Sequence, residues 1–245
     1  MPEGPSIVIL KEAVQAFKGK KVLEAAGNAK IDMALFTGQK VIDFKTWGKH
    51  FLICFPVATI KIHLLMFGTY SINEQTKPDK SLRLHLKFKN GDLYFYTCLV
   101  RILEQDLNEI YDWSADVLND EWNAASAAKK LKAIPHSLIC DALLNQEIFA
   151  GVGNIIKNEV LYITQVHPKS IIDKIPDKKI KEIVKIAREY SFDFLRWKKA
   201  FELKKHWLAY SKQICPRCDI RFSREYVGTT KRRTFFCNNC QVLYQ

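Results

Sequence analysis

Leu82-Arg83-Leu84-His85-Leu86-Lys87-Phe88-Lys89-Asn90-Gly91-Asp92-Leu93-Tyr94-Phe95-Tyr96-Thr97-Cys98 is the stretch on which the fold turns. Two short runs rich in Leu, Phe and Tyr flank an Asn-Gly pair. Asn and Gly tolerate the positive φ of tight hairpin turns, so the pair predicts two antiparallel strands with their turn at Asn90-Gly91. Working toward the N-terminus, similar runs recur at residues 40–46, 50–55, 59–65 and 69–72. So many short, closely spaced strands between residue 20 and about residue 103 predict an antiparallel sandwich or barrel. Ahead of them, Ile7, Leu10, Val14 and Phe17 recur at helical spacing behind Ser6, a candidate N-cap, and predict one leading amphipathic helix. Beyond Trp113 the pattern turns helical, over residues 121–131, 137–145, 154–165, 177–194 and 197–210. The expected class is α+β and multidomain. A β domain with its leading helix covers 1–104, a linker 105–120, a helical domain 121–210, and a metal-bound finger 211–245.

The formal charge of +12 and a pI near 9.3 point to a polyanionic partner. The excess is uneven, with eleven Lys and Arg against three Asp and Glu between Lys198 and Gln245. A solubilising surface is the plain alternative, but clustering beside a metal site favours nucleic acid. No segment approaches the roughly 20 apolar residues of a membrane span, and the N-terminus lacks the basic and apolar regions of a signal peptide. The expectation is a soluble intracellular protein in a reducing compartment, located in cytoplasm or nucleoid, with no membrane partner.

Of the seven cysteines, Cys54, Cys98 and Cys140 lie in apolar runs and read as buried thiols. The other four form Cys215-x2-Cys218 and Cys237-x2-Cys240, separated by eighteen residues. Paired cysteines in a reducing compartment favour a metal over a disulfide, and four thiolates saturate a tetrahedral ion. One structural Zn2+ is therefore expected. Between the knuckles, Lys231-Arg232-Arg233 is placed at the tip of a β-hairpin, either as a solvated charge run or as a phosphate contact.

Four further features carry chemistry. Pro2, exposed by removal of Met1, would present a secondary α-amine, far less basic than a lysine (about 7.7–8.0 against about 10.4) and so more often neutral and nucleophilic. Such an amine forms an iminium with a sugar C1′, and Glu3 beside it supplies a proton shuttle. Gly151-Val152-Gly153 before a helix is either a plain helix-entry turn or, with Asn154 as N-cap leaving N–H groups at the positive end of the helix dipole, a phosphate site. Lys49 enters an apolar run, Gly48-Lys49-His50-Phe51-Leu52-Ile53, either as an edge-strand guard or as the holder of a phosphate or carboxylate. Leu65-Met66-Phe67 before Gly68 is either a buried strand end or an apolar wedge for a base stack.

Together, the Pro2-Glu3 start, Gly48-Lys49, the Gly151-to-Asn154 turn and the four-cysteine finger resemble the formamidopyrimidine-DNA glycosylase/endonuclease VIII family of base-excision repair enzymes. The resemblance spans the chain in the family's order. It implies a β-sandwich, then a helix–two-turn–helix domain, then a zinc finger, with damaged double-stranded DNA in the cleft between them and a monomeric enzyme. By position, Pro2 is the implied nucleophile, Glu3 its proton shuttle, and Lys49 a lysine that contacts phosphate or assists base loss. Asn154 and Arg232 (or Arg233) are the implied phosphate contacts, and Leu65, Met66 and Phe67 fill the gap left by the everted nucleotide. The implied activity is a bifunctional glycosylase/lyase ending in β,δ-elimination; the alternative is a catalytically inactive damaged-DNA-binding module of the same architecture. Ser6 stands where many members carry Glu. The segment after Tyr96 lacks the Arg–Phe pair of the formamidopyrimidine branch, which leans the resemblance toward endonuclease VIII and oxidised pyrimidines.

Overall fold

A computed structural model describes residues 2–245; Met1, whose removal would expose Pro2, lies outside the described residues. The chain divides into two units, one ending at Tyr111 and one spanning Asp112–Gln245.

The first unit opens with helix α1 (Gly4–Ala13), followed by strands β1 (Val22–Ala26), β2 (Asp43–Trp47), β3 (His50–Cys54), β4 (Thr59–His63), β5 (Thr69–Ile72), β6 (Leu82–Phe88), β7 (Gly91–Tyr96) and β8 (Leu99–Leu103), and it ends with one short helix, α2 (Leu107–Ile110). The strands form two antiparallel sheets, in the orders β1-β6-β7-β5 and β2-β3-β4-β8. Together they make the expected sandwich. Alternation decides which faces meet: Leu84, Leu86 and Phe88 of β6 are buried while His85 and Lys87 are not. They join Phe51, Ile53, Ile60, Ile62 and Val100 of the other sheet in one core, sealed by Ile7, Leu10, Val14 and Phe17 of the leading helix region. Each such side chain contributes about 1.5–3 kcal/mol when fully buried, so α1 is pinned by its apolar stripe and the residues before it are placed with it.

The hairpin turn is Lys89-Asn90, and Gly91 is already the first residue of β7, paired with Phe88. Gly91 has φ +139°, and a Cβ there would run into the Asn73 side chain. Ser6 is not an N-cap: α1 begins at Gly4 with Glu3 in the cap position, so Ser6 lies inside the first turn with a buried Oγ that has no hydrogen-bond partner. Strands β1 and β8 lie outside the expected runs: Val22–Ala26 is poor in aromatics, and Leu99–Leu103 follows β7 after only Thr97 and Cys98.

The second unit contains helices α3 (Ala124–Lys132), α4 (Ile139–Ala142), α5 (Asn154–Ile163) and α6 (Asp177–Lys199), then a hairpin of β9 (Ser223–Val227) and β10 (Arg232–Phe236). Val227 and Phe236 of the hairpin share a core with Ile155, Ile156 and Val160 of α5 and Ile183, Val184 and Ala187 of α6. Helix α5 is buried almost all round, from Asn154 to Tyr162, so its polar side chains must find partners inside the protein.

The helix expected over 197–210 does not form. Helix α6 runs on to Lys199 and stops at Phe201, whose φ of +59° leaves the helical region. Further on, the N–H groups of Leu208, Ala209 and Tyr210 donate to the buried Glu159 carboxylate at 2.8, 3.0 and 2.7 Å, so they are unavailable to helical carbonyls. No helix among the described residues is long and apolar enough to cross a membrane.

Candidate nucleic-acid interface and cysteine cluster

Pro2 is partly exposed and Glu3 is wholly buried, with extended backbone at φ −121° and ψ 173°. The Glu3 carbonyl accepts the N–H of Ser6 at 2.8 Å, which starts α1. Because the α1 stripe is locked into the sandwich core, the Pro2-Glu3 step is held by packing as well as by its own backbone.

Lys49 lies in a turn, not within a strand: Gly48-Lys49 is the two-residue connection of the β2–β3 hairpin, where Trp47 pairs with His50. Gly48 takes φ +54° at the first central position, as a type II′ turn requires. Around this turn two histidines gather with Lys49 and Lys61. His50 and His63 pair across β3 and β4 with ring centroids 5.5 Å apart, and His50 Nδ1 lies 3.1 Å from the Tyr111 hydroxyl. Burial, helped by Lys61, His63 and Lys49, holds the His50 pKa down to about 3. Burial together with Lys49 and Lys61 lowers that of His63 as well. Lys61 faces Arg101 across the β4–β8 pairing, and burial with that neighbour lowers its pKa too.

The Leu65-Met66-Phe67 loop, between β4 and β5, is exposed. The three side chains are 49%, 49% and 75% accessible, so the buried-strand-end alternative fails while Leu64 just before them is buried. The Gly68 N–H closes the loop on the Leu64 carbonyl at 2.7 Å, and a Cβ on Gly68 would strike that carbonyl. Leu65 has φ +53°, a conformation that costs a non-glycine residue roughly 1–2 kcal/mol. The Leu65 N–H donates to His63 Nδ1 at 3.0 Å.

In the second unit Gly151, at φ +101°, makes the tight turn before α5, staked by Gln146, whose Oε1 accepts the Gly151 N–H and whose Nε2 donates to the Val152 carbonyl. Gly153 takes the N-cap position and Asn154 is the first helical residue, a correction to the expected cap. Asn154 Nδ2 donates to the Arg233 carbonyl at 2.9 Å, and its Oδ1 is buried without a hydrogen-bond partner. Lys157, almost fully buried, donates to Thr234 Oγ1 at 2.7 Å, and Asn158 Oδ1 accepts the Phe235 N–H at 2.8 Å. One helix thus grips three successive residues of β10. The tip, Gly228-Thr229-Thr230-Lys231, rests on α4: Asp141 accepts from Thr229 N at 2.9 Å and from Thr230 N and Oγ1 at 3.3 and 3.1 Å. Lys231 is at that tip, whereas Arg232 and Arg233 open β10. Arg232 is half-buried; Arg233 is exposed, over the Tyr226 ring at 5.7 Å.

The sulfur atoms of Cys215, Cys218, Cys237 and Cys240 lie within 4.8 Å of one another, a set able to hold one metal ion. Each knuckle is shaped by its own backbone, through Asp219 N–H to Cys215 carbonyl at 2.9 Å and Gln241 N–H to Cys237 carbonyl at 3.2 Å. Asn239 Nδ2 donates to Cys218 Sγ at 3.2 Å, and the Tyr162 hydroxyl lies 3.4 Å from Cys215 Sγ. Asp141, Lys157, Asn158, Glu159 and His63 escaped sequence reasoning. Charged or amide side chains inside the apolar text of α5 were the one signal available for three of them.

Residues 1–102 match the formamidopyrimidine-DNA glycosylase N-terminal domain and residues 114–191 the formamidopyrimidine-DNA glycosylase H2TH domain. Endonuclease 8-like 3 of Xenopus laevis is 27% identical over 232 residues, which cover 90% of this chain and 38% of that protein. The chain thus spans little more than a third of the length of such relatives. Formamidopyrimidine-DNA glycosylase of Lactobacillus helveticus (strain DPC 4571) is 26% identical with both chains covered in full. Among solved structures, a viral DNA glycosylase superposes with a TM-score of 0.85 at 21% identity, covering 98% of this chain and 100% of that one. The Lactococcus lactis formamidopyrimidine-DNA glycosylase bound to AP-site DNA also gives 0.85, at 20% identity, with 98% and 99% covered. With both domain models matched in order along the sandwich and the helical unit, the chain belongs to the formamidopyrimidine-DNA glycosylase/endonuclease VIII family.

Proposed function

We propose that this chain is a bifunctional DNA glycosylase/AP lyase of base-excision repair, acting as a monomer on damaged duplex DNA. The observation that carries the reading is the Pro2-Glu3 step. A proline able to become the N-terminal amine is followed by a fully buried carboxylate, both held by a helix anchored in the sandwich core. The Pro2 amine attacks C1′ of the damaged nucleotide, and the base departs carrying a proton. Opening of the sugar ring gives an iminium on Pro2, an electron sink that labilises first the 3′ and then the 5′ phosphate ester. Glu3 moves protons at the sugar, and Lys49, on its rigid turn, holds a phosphate or assists base loss.

Phosphate contacts fall to Asn154, at the N-terminal turn of α5 where the helix dipole favours an anion, and to Arg232. Strand alternation puts Arg232 on the face of β10 shared with Thr234, which Lys157 holds; Arg233 takes the other face and serves instead if Arg232 does not. The metal is one structural Zn2+. A tetrahedral ion with Zn–S bonds of about 2.3 Å needs sulfurs about 3.8 Å apart, and Cys215 and Cys240 are separated by 3.8 Å. Zinc there supplies rigidity to the finger and no chemistry.

Oxidised pyrimidines, such as thymine glycol, are the proposed substrates. Only Thr97 and Cys98 connect β7 to β8, which leaves no loop to carry an Arg–Phe pair toward the opposite base. The exposed Leu65-Met66-Phe67 plug fills a vacated stack but offers that base no side-chain donors. Damaged pyrimidines also stack poorly, which lowers the cost of everting them. Borohydride should trap a protein–DNA adduct on abasic or thymine glycol duplex, and peptide mapping should place it on Pro2. An adduct on Lys49, or full activity with a residue fused before Pro2, would overturn the mechanism. Faster excision of 8-oxoguanine opposite cytosine than of thymine glycol would overturn the substrate assignment.

A further inference from the structure

We infer that His63 is the positioning residue of the Leu65-Met66-Phe67 loop, acting through its Nδ1 as the acceptor that sets the loop's backbone. The inference rests on the proposed insertion of this loop into DNA for its functional meaning, but not for its geometry. Leu65 is held at φ +53° with no glycine to ease it. Two hydrogen bonds span the turn: Gly68 N–H to the Leu64 carbonyl at 2.7 Å, and Leu65 N–H to His63 Nδ1 at 3.0 Å. The second is the only side-chain contact of the two. It fixes where the chain turns out of β4, and hence the direction in which three exposed apolar side chains project.

The acceptor role demands a particular protonation state. With Nδ1 accepting, the ring proton must sit on Nε2, and an imidazolium would lose the bond outright. The surroundings favour the neutral ring. His50 faces it from β3, Lys49 lies on the β2–β3 turn, Lys61 is two residues earlier on β4, and its β8 partner is the apolar Leu99. Burial disfavours the cation, and Lys49 and Lys61 work in the same direction.

The bond resembles the way an Asn side chain caps the N–H two residues on, which gives a test that separates this role from mere filling of space. Asn places Oδ1 where Nδ1 stands; Gln places its oxygen farther out, near Nε2. Amide exchange at Leu65 should be read by NMR in the free protein for wild type, His63→Asn, His63→Gln and His63→Ala. Exchange is expected to be about three- to tenfold faster in His63→Gln and His63→Ala, and close to wild type in His63→Asn. Equal rates in all four proteins, or His63→Asn as fast as His63→Ala, would overturn the inference; if His63→Ala does not fold, the Asn–Gln pair decides. A parallel reading uses duplex carrying 2-aminopurine beside an abasic-site analogue, where unstacking should follow the same order. If exchange obeys the pattern while fluorescence is alike in all four, His63 keeps its role and the insertion reading fails.

Discussion

Asp141→Ala should loosen the finger tip without dismantling the finger. The carboxylate accepts the Thr229 N–H at 2.9 Å, the Thr230 N–H at 3.3 Å and the Thr230 hydroxyl at 3.1 Å, and nothing in alanine replaces it. Hydrogen bonds to a charged group contribute about 1.5–3 kcal/mol each when well made, and partial exposure with long geometry cuts this to about half or less. The clasp as a whole is therefore worth about 2 kcal/mol, which corresponds to about a 30-fold change in a local opening equilibrium. Amide exchange measured residue by residue should show Thr229 and Thr230 opening faster by about that factor. The Phe235 amide serves as an internal reference, because Asn158 rather than Asp141 holds it, at 2.8 Å. Metal content should not change. Gly228→Ala should act on the same clasp by a different route, since φ is +76° there and the new methyl would collide with the Asp141 carboxylate. Unchanged exchange at Thr229 and Thr230 would refute the clasp, and equal loosening at Phe235 would show that the whole hairpin, not its tip, depends on Asp141.

Cys237→Ser should lose the metal, read by native mass spectrometry, and weaken DNA binding while circular dichroism still shows the sandwich; Arg232→Ala should keep the metal and lose excision, and active protein without metal would refute a structural zinc. If about four phosphates are neutralised, affinity should fall with a log–log salt slope of about −3.6, or about 150-fold between 50 and 200 mM salt; a flat response in fluorescence anisotropy would exclude a phosphate-tracking surface. His50, held down to about 3, should stay neutral by NMR titration well below the ordinary histidine value of about 6.5. Its folded pKa is depressed, so the unfolded chain binds the extra proton first, and His50 should contribute a loss of stability as pH falls from about 6.5 toward 3; an ordinary midpoint would contradict its burial against Tyr111.

What the sequence determined by itself were the features that local chemistry dictates. Asn90-Gly91 announced a hairpin because few residues tolerate such turns, although the strand pairing moved the turn back by one residue so that Gly91 could pass Asn73. The two Cys-x2-Cys pairs announced a set able to hold one metal ion, because paired thiolates at that spacing suit tetrahedral ligation, and the structure brings all four sulfurs together. The Pro2-Glu3 start stands in the sequence as a proposal about chemistry, and its anchoring was not legible there, since that depends on the α1 stripe meeting strands far along the chain. Tertiary structure alone decided the rest. Lys49 went to a turn because Trp47 pairs with His50; the 197–210 helix was lost because Glu159, some fifty residues away, captures its N–H groups; and Leu65-Met66-Phe67 came out exposed because Leu64 and Gly68 close the loop beneath them. The same holds for Lys157 and Asn158. A buried polar side chain must find a partner, but only the folded chain says that the partner is β10.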